Sequence, residues 1–148
     1  MRRAEKVPAL AVLDASVAVR WVVPEVGSDE AAELLLRPIA WIAPRLMLTE
    51  AASALRRKVA AGELTTAISS QALDTLVQAI ADGILRLVDD EAFVSSALML
   101  AITLDHTVPD CLYLALAERH GAAIATAERR LAGLARQRGV TALTVPSA

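Results

Sequence analysis

The sequence is poor in cysteine, histidine and aromatic residues, and each shortage excludes a class of protein. It has one cysteine, Cys111, and two histidines, His106 and His120. An internal disulfide is therefore excluded, and no cluster of thiolates and imidazoles is available to bind zinc. A reducing, cytoplasmic location is the expectation for such a chain. Because there are only two Trp, one Tyr and one Phe, the core must be built from Ala, Leu, Val and Ile.

Long hydrophobic runs are also missing, although 55% of the residues are hydrophobic. No stretch reaches the ~18 uncharged residues needed to span a bilayer. The apolar run after the basic N-terminus is interrupted by Pro8 and ends at Asp14, too short for a secretory signal. We therefore predict a soluble protein with one domain over residues 1–148, in which residues 1–8 form a flexible N-terminal extension.

Positive charge is not in excess, since the net charge is −2. The overall charge therefore does not indicate binding to nucleic acid, which an overall positive charge would attract. Arginines are nevertheless clustered in two places, at Arg56 and Arg57 and at Arg129 and Arg130. Such runs occur on surface helices, where they keep a protein soluble. They are equally candidates for contacts with the phosphates of RNA.

Short apolar runs alternate with amphipathic stretches along the chain. The runs predict five strands, at 10–13, 40–43, 84–88, 122–126 and 140–145. Helices are predicted between them; Ser16 would cap the first, Asp89 and Asp90 the one through Leu104, and Thr107 the one that Gly121 ends. Strands separated by helices pair in parallel, so we predict a three-layer α/β/α sandwich with a parallel sheet of about five strands.

Two acids lie where predicted strands end. Asp14 follows the first strand and Glu128 follows the fourth, and ligands of parallel sheets bind at the carboxyl ends of the strands. Each has a structural alternative. Asp14 is also suited to a turn or a helix cap, and Glu128 to the positive end of the following helix dipole, with Thr126 as a candidate cap.

Two further acids lie on predicted helices. Asp110 shares a helix face with Tyr113, Leu114 and Ala117, where a charge needs a partner or a metal, although the Thr107–Asp110 spacing also fits a capping box. Glu50 lies opposite the apolar stripe of its helix, as a solvated surface glutamate would.

The four acids, taken together, indicate a site for a metal ion, which none of them indicates alone. Carboxylates that meet in one crevice repel each other and raise one another's pKa unless a cation neutralises them. With no cluster of Cys and His ligands, the ions that fit an all-oxygen site are Mg²⁺ and Mn²⁺.

Four segments of the sequence resemble the PIN-domain ribonucleases, and within them the VapC-type toxins of toxin–antitoxin pairs. These segments are "LAVLDASV", "LTEAASALRRKV", "VPDCLYLALAERHG" and "IATAERRL". The resemblance covers nearly the whole chain and rests on their order and spacing. It implies a Mg²⁺- or Mn²⁺-dependent endoribonuclease whose acidic pocket contains Asp14, Glu50, Asp110 and Glu128, with Ser16 and Thr126 as pocket hydroxyls.

The resemblance also implies roles and partners. Metal-activated water would hydrolyse an RNA phosphodiester, with Asp14 and Asp110 as direct ligands, Glu50 completing the shell or orienting the water, and Glu128 acting at a second metal or through water. An antitoxin whose tail occupies the pocket and a homodimer are the implied partners. The family more often has Asp at the position of Glu128, so a catalytically silent PIN-like scaffold that binds a protein or RNA is the alternative.

Overall fold

The computed structural model describes residues 8–148, which form one five-stranded sheet flanked by helices. The strands are β1 (Leu10–Leu13), β2 (Ala40–Pro44), β3 (Leu85–Val88), β4 (Ala123–Thr126) and β5 (Ala142–Thr144). The helices are α1 (Ala15–Val22), α2 (Ser28–Leu36), α3 (Leu46–Ala60), α4 (Thr66–Ala81), α5 (Val94–Leu104), α6 (Val108–His120) and α7 (Arg129–Gln137). The predicted N-terminal extension falls almost entirely outside the described residues, and the single-domain prediction stays a prediction.

All strand pairs are parallel, in the order β3-β2-β1-β4-β5. The prediction of a three-layer α/β/α sandwich with a parallel sheet is therefore confirmed. The two central strands, β1 and β4, are neighbours although they are far apart along the chain. Their carboxyl ends lie side by side, with Leu13 in register with Ala125. This edge of the sheet is where side chains from the following loops converge.

The core is densest around the central strands and α6. Every residue of β4 is buried, as are Ala11, Val12 and Leu13 of β1, which explains why both strands read as continuous apolar runs and not as alternating ones. In α6, residues 111–117 are buried without interruption, so this helix is enclosed on all sides. Cys111 is part of this stretch, as predicted, and burial raises the pKa of its thiol.

Two predicted helix caps are wrong. Helix α1 begins at Ala15, with Asp14 at the capping position, and Ser16 lies inside the helix and caps nothing. Asp89 and Asp90 do not cap α5, which begins only at Val94 after a short 3₁₀ turn at Asp90–Ala92. Their carboxylates are bound by the start of α3 instead: Asp89 pairs with Arg45, and Asp90 accepts from the Leu46 amide at 3.2 Å.

Threonines cap α4 and α6, and Thr107 and Gly121 lie at the two ends of α6 as predicted. The Thr65 hydroxyl accepts a hydrogen bond from the Ile68 amide, and the Thr107 hydroxyl accepts one from the Asp110 amide. Gly121 follows α6 with φ +61°, the left-handed conformation that glycine adopts without strain.

The turn between α1 and α2 is held against the end of the described chain. Gly27 has φ +91°, and a Cβ at this position would lie 2.3 Å from the carbonyl oxygen of Pro146. Only glycine fits so close an approach. The turn therefore has a fixed position beside the carboxyl edge of the sheet.

None of the helices in residues 8–148 has both the length and the apolar character needed to cross a membrane.

A candidate acidic active site at the strand ends

Asp14 is the most deeply placed acid of the site. It follows β1 directly and is only 4% exposed. Its Oδ2 atom accepts hydrogen bonds from the hydroxyls of Ser16 and Thr126, the latter at 2.8 Å. Burial raises the pKa of the carboxyl, and the two hydroxyl donors oppose this shift. Asp14 is thus a buried acid whose orientation is fixed by two neighbours.

The two hydroxyls also bind the turn after β4. Ser16 Oγ accepts from the Ala127 amide at 2.9 Å, and Thr126 Oγ1 accepts from the Glu128 amide at 3.0 Å. The turns after β1 and β4 are joined in this way through side chains. Thr126 is completely buried behind Asp14, and the alternative that it caps α7 is wrong, because Glu128 occupies the capping position.

Glu50 enters the site from α3. The buried residues of this helix are Met47, Ala51 and Leu55, and Glu50 borders that face and is half-buried. Its Oε1 atom accepts a hydrogen bond from the hydroxyl of Tyr113 on α6. Burial raises the pKa of Glu50, and the phenol donor opposes the shift. Because its carboxylate is held in this way, the alternative of a solvated surface glutamate is wrong.

Asp110 has the partner that its apolar surroundings require. His106, in the loop just before α6, places Nε2 2.8 Å from Asp110 Oδ2, and both side chains are largely buried, at 11% and 17% exposed. The second carboxylate oxygen of Asp110 is not part of this contact. Asp110 therefore faces the site from the first turn of α6 with its orientation fixed.

Glu128 completes the set of four acids. It lies at the start of α7 and is exposed. Its pKa is raised to about 7, first by partial desolvation of the carboxyl and then by the negative charges of Asp14, Asp110 and Glu50, while Arg130 opposes the shift. The four acids are thus close enough for their charges to interact.

All four acids line one cleft of about 400 Å³. Ser16 lies beside them, and a second group of charged residues lines the same cleft: Arg20, Glu25, Arg57, Lys58 and Glu63. Of the arginines predicted to contact RNA, Arg57 alone lines this cleft, while Arg130 acts on Glu128 from nearby. Arg56 faces a groove between α3 and α4, and Arg129 faces a groove beside β5.

The donor chemistry of the cleft fits a hard divalent cation. Protein donors bind the carboxylates of Asp14, Glu50 and Asp110, and an ionised carboxylate has about four acceptor positions, so each keeps some of them for a ligand. Within residues 8–148, no three acidic, histidine or cysteine side chains form a ready-made metal cage. An arrangement of spaced carboxylates is compatible with Mg²⁺, which keeps several of its waters when it binds protein.

Of the side-chain contacts around the cleft, the sequence indicates one, the proximity of His106 to Asp110, because these residues are four positions apart. Tyr113 is expected on the face of Asp110, but its contact with Glu50 joins residues 63 positions apart and has no local signal. The contact between Lys58 and Glu25 has none either, because it depends on how α3 packs against α1 and the turn that follows it.

Comparison with known proteins agrees with this geometry. Residues 11–137 match the PIN domain family, so the chain belongs to this family. Members of the family are generally nucleases that use divalent metal ions. The crystal structure of PAE2754 from Pyrobaculum aerophilum is similar, with a TM-score of 0.68 over 91% of this chain and 84% of that chain; at 20% identity the similarity concerns the fold. No curated protein matched the sequence.

The raised pKa of Glu128 predicts that stability depends on pH in the metal-free protein. In the unfolded chain the carboxyl titrates near its ordinary value of 4.5, and in the folded chain at about 7. Between these values the folded state binds more protons, so the free energy of unfolding falls as the pH rises through this window. The glutamine in Glu128→Gln cannot ionise, so the free energy of unfolding of this variant should fall less over the same pH range than that of the wild type. Urea denaturation in EDTA from pH 4.5 to 8 measures both.

Glu33→Gln is the control for this measurement, since Glu33 lies on α2 outside the cleft. It should keep the pH dependence of the wild type. Identical pH dependence in wild type and Glu128→Gln would contradict the coupling of Glu128 to the other acids.

Proposed function

We propose that the protein is a Mg²⁺- or Mn²⁺-dependent endoribonuclease and the toxin of a toxin–antitoxin pair. The observation that carries the proposal is the convergence of Asp14, Glu50, Asp110 and Glu128 on one cleft at the carboxyl ends of β1 and β4. Partial desolvation, and after it the negative charges of the other three acids, raise the pKa of Glu128, and a bound cation relieves such repulsion. The PIN family membership supports a nuclease, and the resemblance to VapC-type toxins supports RNA as the substrate.

In the proposed reaction, Asp14 and Asp110 would hold the cation directly, Glu50 would complete its shell or orient the attacking water, and Glu128 would act through water. The ion would supply a more acidic water and neutralise the phosphate oxygens. The protein's part is to fix the carboxylates: two hydroxyls fix Asp14, His106 fixes Asp110, and Tyr113 fixes Glu50. Water adds to phosphorus, the bond to the 3′ oxygen breaks, and this oxygen takes up a proton.

The second candidate function is a PIN-like scaffold that binds RNA or a protein without cleaving it. Glu128 favours it, since the resemblance leads us to expect Asp at this position. A longer side chain reaches further into the cleft and changes the distance at which its carboxylate meets an ion.

RNA cleavage separates the two functions. Purified protein should cut single-stranded RNA with Mg²⁺ or Mn²⁺ and lose this activity in EDTA. Asp14→Asn should reduce the rate by at least about 100-fold, because it removes a ligand charge from the buried end of the site. Glu128→Asp should retain or raise activity, and Glu128→Gln should lower it. If folded, inhibitor-free protein cuts no RNA with any divalent ion, the scaffold is the correct interpretation.

We also propose that the chain forms a homodimer through α5. This helix carries no charged residue, and Val94, Leu98, Met99 and Ile102 are between 48% and 66% exposed. Apolar side chains grouped on one helix face are a feature of subunit interfaces. Two copies of an uncharged face meet without repulsion between like charges.

Light scattering after size exclusion tests the dimer. The wild type should elute with twice the chain mass of 15.6 kDa, and Ile102→Glu should elute as a monomer, because it places like charges in the interface. Ile68→Glu, at an equally apolar but separate exposed position on α4, should remain a dimer. If the wild type is a monomer at high concentration, the proposed homodimer is wrong.

The proposed antitoxin has a candidate docking place in an apolar groove of about 580 Å³. The groove lies between α1, α2 and α4, and Trp21, Leu35, Leu76 and Ile84 contribute to its lining. Leu35 and Ile84 are exposed there. An amphipathic segment fits such a groove, and its tail would reach the acidic cleft as the resemblance implies.

Expression in cells tests the toxin assignment. The chain alone should arrest growth, Asp14→Asn should not, and co-expression of a small protein encoded beside it should restore growth and co-purify with the chain. Normal growth with abundant, folded, RNA-cleaving protein would show a nuclease that is not a toxin. A cytoplasmic location stays a prediction from the single cysteine.

A further inference from the structure

The acidic cleft has a second end where positive and negative charges are paired. Helix α3 forms one wall of the cleft, through Glu50, Ala54, Arg57 and Lys58. Eight residues separate Glu50 from Lys58, a rise of about 12 Å along the helix. Among residues 8–148, no lysine or arginine is in hydrogen-bonding contact with the acids at the first end, whereas Lys58 at the second end contacts two carboxylates.

Within the described part of the chain, the ammonium group of Lys58 contacts two carboxylates and no backbone group. Its Nζ lies 2.7 Å from Glu25 Oε2 and 3.5 Å from Glu63 Oε2, and Glu63 is 59% exposed. An ammonium group has three donors and rotates freely on its stem. Lys58 can therefore exchange one carboxylate for another anion without disturbing the backbone.

The neighbouring cation does not have this freedom. Arg20 donates from Nε to the carbonyl oxygen of Val26 and from a terminal nitrogen to that of Ser16, both at 2.8 Å. Its side chain is 10% exposed. Arg20 thus ties α1 to the turn that follows it, and its guanidinium is committed to the fold.

Glu25 remains paired when Lys58 leaves it. It lies in the turn between α1 and α2 and contacts Arg20 at 3.4 Å as well as Lys58. An anion that takes Lys58 from Glu25 therefore leaves no unpaired carboxylate behind. A phosphodiester carries the same single negative charge as a carboxylate, so Lys58 has a partner of equal charge after the exchange.

We propose that Lys58 binds a backbone phosphate of the RNA strand, a few nucleotides from the phosphate at the acidic end, after exchanging Glu25 for it. Glu25 acts as the occupant of this position when no strand is bound. The small side chain of Ala54 between the two ends leaves room for the strand along α3. The inference rests on the proposed function, since it assigns the same strand to both ends of the cleft.

Equilibrium binding of a fluorescent single-stranded RNA tests this role without cleavage. All variants are made in an Asp14→Asn background with Mg²⁺, and anisotropy is measured over a range of salt. Lys58→Gln should weaken binding roughly three- to tenfold and make the slope of log K against log salt shallower by about 0.7, the value for one phosphate contact on a single strand. Glu25→Gln should tighten binding, because Lys58 is then available to the phosphate.

The ion pair between Arg138 and Glu118 provides matched controls. It lies outside the cleft, at 2.8 and 3.1 Å, and Arg138→Gln and Glu118→Gln change the net charge by the same amounts. Both variants should bind RNA with the affinity of the Asp14→Asn background protein and with the same dependence of log K on log salt. Equal binding by Lys58→Gln and Arg138→Gln overturns the proposal. If Lys58→Gln does not fold, the Glu25→Gln variant tests the proposal instead. An RNA affinity of Glu25→Gln equal to that of the background protein would then overturn the proposal.

Cleavage by the otherwise wild-type chain keeps the two proposals apart. If that chain cleaves RNA while Lys58→Gln binds like its control, the role of Lys58 is wrong and the nuclease stands. If it cleaves nothing while binding depends on Lys58 and Glu25, the phosphate site stands and the nuclease is wrong.

Discussion

The site depends on how one buried carboxylate is kept in place. Asp14 ends a central strand with almost no access to water, and burying a charge in this way is costly unless its oxygens are bound. The hydroxyls of Ser16 and Thr126 bind it. The same hydroxyls accept the amides of Ala127 and Glu128. Satisfying Asp14 therefore also fixes the turn that carries the fourth acid, and the pairing of β1 with β4 supports both.

The remaining acids are held by the same principle with different partners. Each of Glu50 and Asp110 offers one oxygen to a donor from the protein, a phenol in one case and an imidazole in the other. Glu128 has no such donor in the hydrogen bonds of the described residues, and its pKa is the one raised to about 7. Protein donors thus fix the orientation of three of the acids, whereas the charges of these three add to the desolvation that raises the pKa of the fourth. Preorganisation of this kind lowers the reorganisation needed when charge develops in a reaction.

The sequence sufficed for most strands and helices and for picking out the four acids that line the cleft, but not for the charged residues at its other end. Apolar runs, glycine after α6 and threonines before α4 and α6 mark the elements, and an acid after a strand marks the sheet edge. Prediction from the sequence failed where a residue that commonly caps a helix is bound by a partner from another part of the chain. Ser16 is a good cap residue, but a buried acid binds its hydroxyl; Asp89 and Asp90 are good caps as well, but Arg45 and the start of α3 bind their carboxylates. The contacts of Lys58 have no local signal at all.

The hydrogen bond between Thr126 and Asp14 joins positions 112 residues apart, and this separation has a consequence for protein synthesis. A ribosome makes β1 well before β4, the strand that completes the site. No nascent chain that stops before Glu128 contains all four acids, and contacts so distant in sequence form late in folding. A product that stops before Glu128 therefore lacks the complete cleft, however stable its first strands and helices are.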